Sequence, residues 1–396
     1  MQRSDYTFKF NKNLGRHGWL RLTPAYSVKL VSEMLETEMN SCRILDPFSG
    51  TATTPLVAAE AGFKAWGLDI NPFLIWFGAL KTMQFGCDIL NDVKIKAQTC
   101  IEKSRTKDND WVPPIFNIKR WWSAVTLDLL SALRASIVEF IGEPNTSANG
   151  LIWVAFLRLV VDTSSVAFNH VSMSFADHTK DYAADVIYAA FEDLIDNIID
   201  SARKPLAGEG TVIKCDSKDV SGLSLQFDRI ITSPPYPNRM SYIRELRPYM
   251  YWSKFLVAAS EAGDLDWEAI GGTWGSATSK LNTWYASTDP SDPLNQIVKE
   301  ITTTGQKNSG VMALYVHKFF HDMHLHLTSV QRVLSPNAKV TYIVGNSSFY
   351  GCVVDTPGLL EISLRALGFK DVSTRIIRRR NCNKSLFEYD VSATMP

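Results

Sequence analysis

Polar residues follow an apolar, strand-like stretch at residues 228–232, where the chain continues as Ser233-Pro234-Pro235-Tyr236. Two successive prolines have fixed φ angles and no N–H group, so they hold the Pro234 carbonyl rigidly as a hydrogen-bond acceptor. The Ser233 hydroxyl is a second acceptor, and the Tyr236 ring offers a face on which a planar group can stack. Acceptors held in this way could orient a hydrogen-bond donor carried by such a planar group.

A second polar segment, from Asp46 to Pro55, has the pattern of a nucleotide-binding loop between a strand and a helix. Gly50 would let a ligand approach the backbone, and Pro55 suits the first turn of a helix. Asp69 follows the next apolar stretch, at roughly the spacing at which an acidic residue binds ribose hydroxyls in Rossmann-like folds. The alternative is that Asp46 caps a helix and Asp69 lies in a solvated loop. No Gly-Lys-Ser/Thr follows, so a nucleoside triphosphate site is not predicted.

Together, these two segments resemble the motifs of the amino-methylating DNA methyltransferases. "DPFSGTATT", residues 46–54, is similar to that family's S-adenosylmethionine motif, usually D-P-F-x-G-x-G-T, with Ala52 where a second glycine is usual. "TSPPY", residues 232–236, resembles the catalytic motif of the same family. The resemblance covers roughly residues 18–75 and 210–385. It implies an α/β, Rossmann-like class I methyltransferase fold, with a mixed, mainly parallel sheet and a helical insertion.

The resemblance also implies a site that binds S-adenosylmethionine beside a base extruded from double-stranded DNA. Asp69 would bind the ribose, Asp216 would contact the adenine amino group, and the element containing Thr23 and Pro24 would close over the methionine end. The implied cofactor-binding residues are Thr23, Pro24, Asp46, Pro47, Phe48, Ser49, Gly50, Thr51, Asp69, Ile70, Asn71, Asp216 and Thr232. The implied catalytic residues are Ser233, Pro234, Pro235 and Tyr236.

Ser233 bears on which base is methylated. In this family Asp or Asn at that position usually accompanies adenine and Ser usually accompanies cytosine, so the resemblance implies methylation of cytosine N4. No Pro-Cys pair is found, which carbon-5 methylation of cytosine would need. Adenine-N6 methylation, an RNA base-amine methyltransferase and an inactive relative that only binds DNA stay open. An enzyme of the implied kind can be paired with a cognate restriction endonuclease, and the chain shows no nuclease motif.

The order of apolar patterns predicts the elements that position these residues. Strands should end at Asp46 and Asp69, and each should be followed by a helix. A further helix is predicted over 26–39. We predict three parts: 1–87 with the cofactor motif, a helical insertion at 88–205 that is a candidate target-recognition region, and 206–396 with the catalytic motif. Within the third part, 257–310 is predicted to be a loop-rich insertion, and with its Trp267, Trp274 and Trp284 it is the alternative candidate for target recognition. A long helical segment is predicted over 298–333, and a β-hairpin at the end of the chain.

The charges are balanced, with 41 Lys and Arg residues against 41 Asp and Glu residues, so composition gives no support to a nucleic-acid partner. Candidate DNA-binding residues lie beside the catalytic motif, in a basic segment near the C-terminus and in a polar stretch of the helical insertion. They are Asn169, His170, Arg239, Arg244, Arg378, Arg379 and Arg380. Such basic groups would bind phosphates if they lie beside the cleft, and would otherwise be ordinary surface charge.

Other patterns exclude some classes of protein. The six cysteines form no C-x-x-C pair, which predicts reduced thiols and no zinc site. His317, His321 and His324 share one helical face, but no carboxylate or cysteine cluster joins them, so we interpret this segment as a packed amphipathic helix without a metal. No apolar run could span a bilayer, and the N-terminus lacks the apolar core of a secretion signal. We therefore predict a cytoplasmic protein without a membrane partner; its oligomeric state stays open.

Overall fold

The computed structural model describes residues 4–22, 26–39, 41–108, 111–168, 173–237, 241–272, 276–286, 292–380 and 386–396. The helices are α1 (Val28–Leu35), α2 (Thr53–Glu60), α3 (Pro72–Thr82), α4 (Cys87–Ser104), α5 (Ala124–Ile141), α6 (Gly150–Asp162), α7 (Ala184–Ala202), α8 (Tyr242–Trp252), α9 (Ala259–Glu268), α10 (Ser276–Leu281), α11 (Asp292–Thr303), α12 (Ser309–Val330) and α13 (Thr356–Ala366). The strands are β1 (Arg43–Asp46), β2 (Lys64–Asp69), β3 (Val166–Phe168), β4 (Met173–Phe175), β5 (Glu209–Lys214), β6 (Phe227–Thr232), β7 (Leu334–Gly345), β8 (Ser347–Phe349), β9 (Cys352–Val354), β10 (Lys370–Arg379) and β11 (Phe387–Thr394).

A seven-stranded sheet in the order β10-β11-β7-β6-β1-β2-β5 forms the centre of the fold. Its strands are parallel except for β11, which runs antiparallel to both β7 and β10. β1 and β6 are neighbours at the point where the order of the strands reverses, which is where open α/β sheets bind ligands. The predicted fold class, a Rossmann-like class I methyltransferase fold with a mixed, mainly parallel sheet, is confirmed.

The connection from β2 to β5 contains the helices α4 to α7 and the short hairpin β3–β4. These helices form because apolar residues line their buried faces, and residues 151–157 of α6 are all buried. Their aromatic core continues into α8, since Trp252 packs edge-on against Trp122 and Phe156, with ring centroids 5.6 Å away in both cases. The helical insertion therefore anchors the helix that follows the catalytic motif.

The structure corrects several predicted elements. The helix predicted over 26–39 is limited to α1, and the long helix predicted over 298–333 is divided into α11 and α12. The chain breaks between them because Gly305 and Asn308 both take left-handed φ angles, of 66°. The segment 257–310 was expected to be rich in loops, yet its described parts contain α9, α10 and α11. The apolar periodicity is weak in α9, whereas in α11 Leu294, Ile297, Val298 and Ile301 recur at helical spacing. The terminal hairpin is β10–β11, as predicted.

The polar stretch that contains Asn169 and His170 lies between β3 and β4, but residues 169–172 are outside the described part of the chain. In the described residues, no helix is both long enough and apolar enough to cross a membrane.

Candidate active site at the carboxyl end of the sheet

The two motifs, far apart in the sequence, meet at the carboxyl ends of adjacent strands. We call residues 46–54, after β1, the cofactor loop and residues 233–237, after β6, the catalytic loop. β1 and β6 are parallel neighbours, so their carboxyl ends lie at the same edge of the sheet. The Thr232 hydroxyl donates a 2.6 Å hydrogen bond to Asp46 Oδ1 and joins the two strand ends directly.

The cofactor loop turns tightly against β2. The Ser49 N–H donates to the Leu68 carbonyl at 2.9 Å, and a side chain at Gly67 would lie 2.2 Å from Ser49 Oγ. Gly50 has a φ of 49°, and its N–H donates to Asp69 Oδ2 at 3.0 Å. Ala52 also takes a left-handed conformation, with φ 55° and ψ 40°, which explains why glycine is usual at this position in the motif.

Two carboxylates lie at the ends of β1 and β2. Asp46 is fully buried; it accepts hydrogen bonds from the Thr232 hydroxyl, from the Phe48 N–H at 3.1 Å and from the Tyr26 hydroxyl at 3.3 Å. Burial raises the pKa of Asp46 to about 6, against the lowering effect of these donors. Burial also raises the pKa of Asp69 to about 7, although the N–H groups of Asn71 and Gly50 donate to it. Both groups therefore titrate closer to neutrality than an ordinary aspartate.

A buried histidine, His326, contacts Phe48 and the residue that follows Asp216. The Asp216 carboxylate accepts from the Lys218 N–H at 2.9 Å and pairs with Lys218 Nζ at 3.2 Å. The next residue, Ser217, offers its carbonyl to His326 Nδ1 at 2.9 Å, and the His326 ring meets the Phe48 ring edge-on at 4.7 Å. Burial lowers the pKa of His326 to about 4, so the imidazole is neutral. Sequence reasoning missed His326, because nothing in its own helix marks it as different from the neighbouring histidines.

The catalytic loop is supported by residues from β7 and from the segment after β10. Ser233 Oγ lies 3.5 Å from the Tyr236 hydroxyl. The Tyr236 ring packs on Gly345, where an added Cβ would approach two ring carbons to 3.1 Å. The Arg380 guanidinium lies over the same ring, 5.6 Å from its centroid, and donates to the Asn346 carbonyl at 3.3 Å. One part of the tyrosine surface is therefore covered by the protein itself.

Tyr26 brings the segment before α1 to the cofactor loop. Its hydroxyl contacts the Thr54 hydroxyl and donates to Asp46. Burial, and then the nearby Asp46 charge, raise the pKa of Tyr26 well above its ordinary value, so the hydroxyl stays protonated. Thr23 and Pro24, the residues predicted to close over the cofactor, lie outside the described residues. Tyr26 was not predicted as a site residue, although it belongs to the same short segment.

No family model matches the chain. The chain is 22% identical to the type II methyltransferase M.BsoBI of Geobacillus stearothermophilus over 438 aligned residues, covering 96% of this chain and 83% of that protein. This alignment over nearly the whole chain agrees with the family that the motifs predicted. The chain is an S-adenosylmethionine-dependent methyltransferase.

Other similarities are shorter or weaker. The type II methyltransferase M.AvaI of Nostoc sp. (strain PCC 7120) is 35% identical over 74 residues, 18% of this methyltransferase and 15% of that protein. Among solved structures, TrmN from Thermus thermophilus aligns with a TM-score of 0.31 at 9% identity, over 93% of this chain and 48% of that one. The rRNA methyltransferase aviRa from Streptomyces viridochromogenes aligns with a TM-score of 0.28 at 10% identity, over 94% and 86%.

The donor set of the methyltransferase site fits S-adenosylmethionine. Two acidic side chains at adjacent strand ends, Asp46 and Asp69, suit an ammonium group and ribose hydroxyls. Asp216 suits an amino group, and the Phe48 ring is half-buried beside it. Gly50 has a left-handed backbone conformation and no side chain, so the loop is open to a ligand at this position. The cofactor-binding role of each of these residues is a proposal.

Other predicted cofactor residues occupy the same edge of the sheet, with structural contacts of their own. Pro47 is buried, and Ile70 is half-buried. Asn71 is almost fully buried, and its side chain accepts from the Phe73 N–H at 3.0 Å, which caps α3. The Thr51 carbonyl accepts a 2.5 Å hydrogen bond from Lys81 Nζ, a buried cation that sequence reasoning missed.

The predicted DNA-binding residues are not brought together at one place in the described chain. Asn169, His170 and Arg239 lie outside the described residues, and Arg244 lies in the first turn of α8. Arg378 forms a bidentate pair with Glu388, with distances of 2.7 and 2.6 Å, and Arg379 lies 6.0 Å from the centroid of the Phe387 ring. Arg380 covers Tyr236. Their contribution to DNA binding stays a prediction.

The histidines of α12 have packing partners. His317 and His321 meet the Trp284 ring edge-on at 5.3 and 5.6 Å. Across the described ranges, no group of three or more His, Cys, Asp or Glu side chains is arranged to hold a metal ion.

Proposed function

We propose that this methyltransferase acts on DNA and methylates the exocyclic amine of a base in a double-stranded site, with cytosine N4 as the acceptor. The observation that carries the proposal is the hydrogen bond from Thr232 to Asp46, which joins the cofactor loop to the catalytic loop. The similarity to a type II methyltransferase over most of the chain supports it. A cognate restriction endonuclease is then the expected functional partner.

The catalytic loop orients the amine. The Ser233 hydroxyl oxygen and the Pro234 carbonyl accept hydrogen bonds from the two amine hydrogens, which draws the nitrogen out of conjugation with the ring. The remaining face of Tyr236 stacks on the base, which must leave the duplex for its amine to reach the site. When bound, S-adenosylmethionine would supply a methyl group from its cationic sulfur: one S–C bond would break as one N–C bond forms, and the amine would release one proton to solvent.

The choice of cytosine depends on Ser233 and on nothing else in the site. Adenine N6 is the nearest alternative, because the same acceptors would orient its amine equally well. An RNA base amine is a third candidate acceptor, since the loop geometry acts on the base rather than on the sugar. An inactive relative would need a defective cofactor site, whereas the acidic residues and Gly50 of this site are all present.

The test is mass spectrometry of nucleosides from the DNA of a methylation-free host that expresses the protein. The variants are Ser233→Ala and Tyr236→Ala, with Ser221→Ala as the matched control, because Ser221 is exposed and lies outside both motifs. We expect N4-methylcytosine with the wild type and the control, and its loss with both site variants.

Other outcomes revise the proposal at different levels. N6-methyladenine would overturn the assignment from Ser233 and keep the roles of the catalytic loop. If neither mark is found while the purified protein binds S-adenosylhomocysteine, DNA is the wrong substrate and RNA nucleosides should be analysed. If S-adenosylhomocysteine does not bind, the inactive relative becomes the better interpretation.

A further inference from the structure

Helix α9 and the turn that follows it contact both sides of the candidate active site. The helix belongs to the segment 257–310, for which the sequence indicated no role in catalysis. Its contacts reach the start of α8, the catalytic loop and the loop that contains Asp216. We consider these three contacts in turn.

The first contact is a buried carboxylate that holds the start of α8. Asp266 is 1% exposed, and both of its carboxylate oxygens lie 2.9 Å from the Ser241 hydroxyl. Ser241 is the N-cap of α8, since its Oγ accepts from the Arg244 N–H at 3.1 Å. Burying a carboxylate costs free energy unless it is well paired, and its pKa is raised by burial to about 6. The Ser241 hydroxyl and the nearby Arg247 charge offset part of this cost, so Asp266 ties α9 to the start of α8.

The second contact is between the backbone of the turn after α9 and Pro235 of the catalytic loop. Gly271 has a φ of 77°, and an added Cβ there would lie 3.4 Å from Pro235 Cβ. Its carbonyl accepts from the Tyr315 hydroxyl at 3.2 Å, which fixes the turn on α12. At Gly272 an added Cβ would lie 1.7 Å from the Asp266 carbonyl oxygen, so only glycine allows this turn to close on α9.

The third contact is made by Lys218, which pairs with Asp216 through Nζ at 3.2 Å. The same ammonium donates a 2.5 Å hydrogen bond to the Glu268 carbonyl at the end of α9. One lysine thus joins the acid predicted to bind the cofactor's adenine to the element that packs on the catalytic loop.

We propose that residues 259–272 form a brace that sets the position of the catalytic loop relative to the cofactor site, with Asp266 and Lys218 as its positioning residues. Asp266 acts through Ser241 and the start of α8, and Lys218 acts through Asp216. The inference deepens the proposed function and rests on it, because the brace matters for rate only if the loop holds the acceptor base.

The variants are Asp266→Ala, Asp266→Asn, Ser241→Ala, their double variants and Lys218→Met. The control is Asp264→Asn, since Asp264 lies on the exposed side of the same helix and pairs with Lys280 at 3.0 Å. For each variant, methyl-transfer kinetics, the affinity for S-adenosylhomocysteine by calorimetry, thermal unfolding and amide hydrogen exchange of residues 228–252 are measured.

We expect Asp266→Ala to lower kcat on the order of tenfold, with the affinity for S-adenosylhomocysteine within about twofold of wild type. Asp266→Asn should restore most of the rate, because its amide oxygen still accepts from Ser241. Asp266→Ala combined with Ser241→Ala should be no slower than the slower single variant, because both remove one interaction. Lys218→Met should instead weaken S-adenosylhomocysteine binding several-fold.

The brace is rejected if Asp266→Ala leaves kcat unchanged, if it lowers kcat only in proportion to the folded fraction, or if Asp264→Asn has the same effect. Failure of the proposed function looks different, since the wild type would then methylate no DNA. In that case hydrogen exchange still decides: faster exchange of residues 228–252 in Asp266→Ala, with Asp266→Asn close to wild type and the rest of the chain unchanged, supports the brace. Unchanged exchange there overturns it.

Discussion

The cofactor loop and the catalytic loop lie side by side, yet they are held in place by residues at very different distances along the chain. The turn of the cofactor loop is fixed mainly by the strand and helix that follow it: Leu68 and Asp69 accept its N–H groups, and Lys81 donates to the Thr51 carbonyl. Asp46 is also joined to Thr232, just before the catalytic loop. The catalytic loop instead packs on Gly271 and Gly345, which come later in the chain. A short motif and its flanking elements can therefore specify the turn of the first loop, whereas the second depends on much of the fold.

The largest effect should come from filling the space beneath Tyr236. In Gly345→Ala, the new methyl group would lie 3.1 Å from two ring carbons of Tyr236 and displace the ring. We expect methyl transfer to slow by roughly ten- to a hundredfold, because a small misplacement of a catalytic group is costly. The affinity for S-adenosylhomocysteine should stay the same.

Gly222→Ala is the matched control for Gly345→Ala, because nothing lies near an added Cβ at that position. Steady-state kinetics and calorimetry measure both variants. An unchanged rate in Gly345→Ala would mean that Gly345 does not support the catalytic loop. An equal loss of cofactor affinity would mean that the two loops are not supported separately.

The next effect concerns the pH dependence of the cofactor loop. The pKa of Asp69 is raised to about 7, so the folded protein holds a proton on this group at pH values where an ordinary aspartate is ionised. Ribose hydroxyls donate best to the ionised form. The affinity for S-adenosylhomocysteine should therefore rise with pH, by up to about tenfold per unit below the pKa, and level off above it.

Calorimetry between pH 5.5 and 8.5 tests this pH dependence, with Asp69→Asn as the comparison. The variant should bind weakly and with a much flatter pH profile. A wild-type affinity that is independent of pH, or that falls as pH rises, would remove Asp69 from the ribose-binding role.

A smaller effect is expected at Arg380, whose guanidinium lies over the Tyr236 ring. A contact of this kind stabilises by about 0.5–1 kcal/mol at an exposed site, so Arg380→Met should reduce the rate a few-fold. Because this role is to support the ring, the salt dependence of DNA binding should not change. A phosphate contact would instead reduce the slope of log affinity against log salt by about 0.9. Binding measured at several salt concentrations distinguishes the two roles.

The smallest effect is expected at Ala52, in the cofactor loop. A left-handed φ costs an alanine roughly 1 kcal/mol, which Ala52→Gly would recover. The substitution also removes a fully buried methyl group, which contributes about 0.8 kcal/mol. Thermal unfolding should therefore shift by no more than a few degrees, and cofactor affinity should be unchanged. A large shift of either quantity would show that the methyl group has another role.

The sequence predicted the fold class, the strands that end at Asp46 and Asp69, and the terminal hairpin, because strong local periodicity and turn residues mark each of them. Asp46 and Gly50 belong to a motif that can be recognised from its own residues, although Asp46 also bonds to the distant Thr232. By contrast, Gly345 and Asp266 carry no local signal, since each matters only through a residue more than twenty positions away. Pairings at that separation follow from the topology, which a single sequence does not display.

The helices α9 to α11 were missed for a different reason. The helix α9 has few large apolar side chains and little contrast between its faces. The helix α11 is clearly amphipathic, but the Gly, Ser and Thr residues before it favoured a loop. Tyr26 and His326 were missed because a tyrosine or a histidine is equally common in a core and in a site. Their hydrogen bonds, to Asp46 and to the Ser217 carbonyl, distinguish them only once the structure is known.

The order of the strands has a consequence for how the chain reaches its native state. β2 pairs with β5 in parallel, but the chain leaves β2 at Asp69 and returns only at Glu209, after the whole helical insertion. During synthesis, one edge of β2 stays unpaired until the helices between these strands, and then β5, have emerged. Neighbouring helices of the insertion pack in pairs, α4 with α5 and α6 with α7, and contacts between elements close in sequence form quickly. We expect the insertion to fold first and to deliver β5 to the sheet, so that a region outside the catalytic motifs sets the rate at which the active edge is completed.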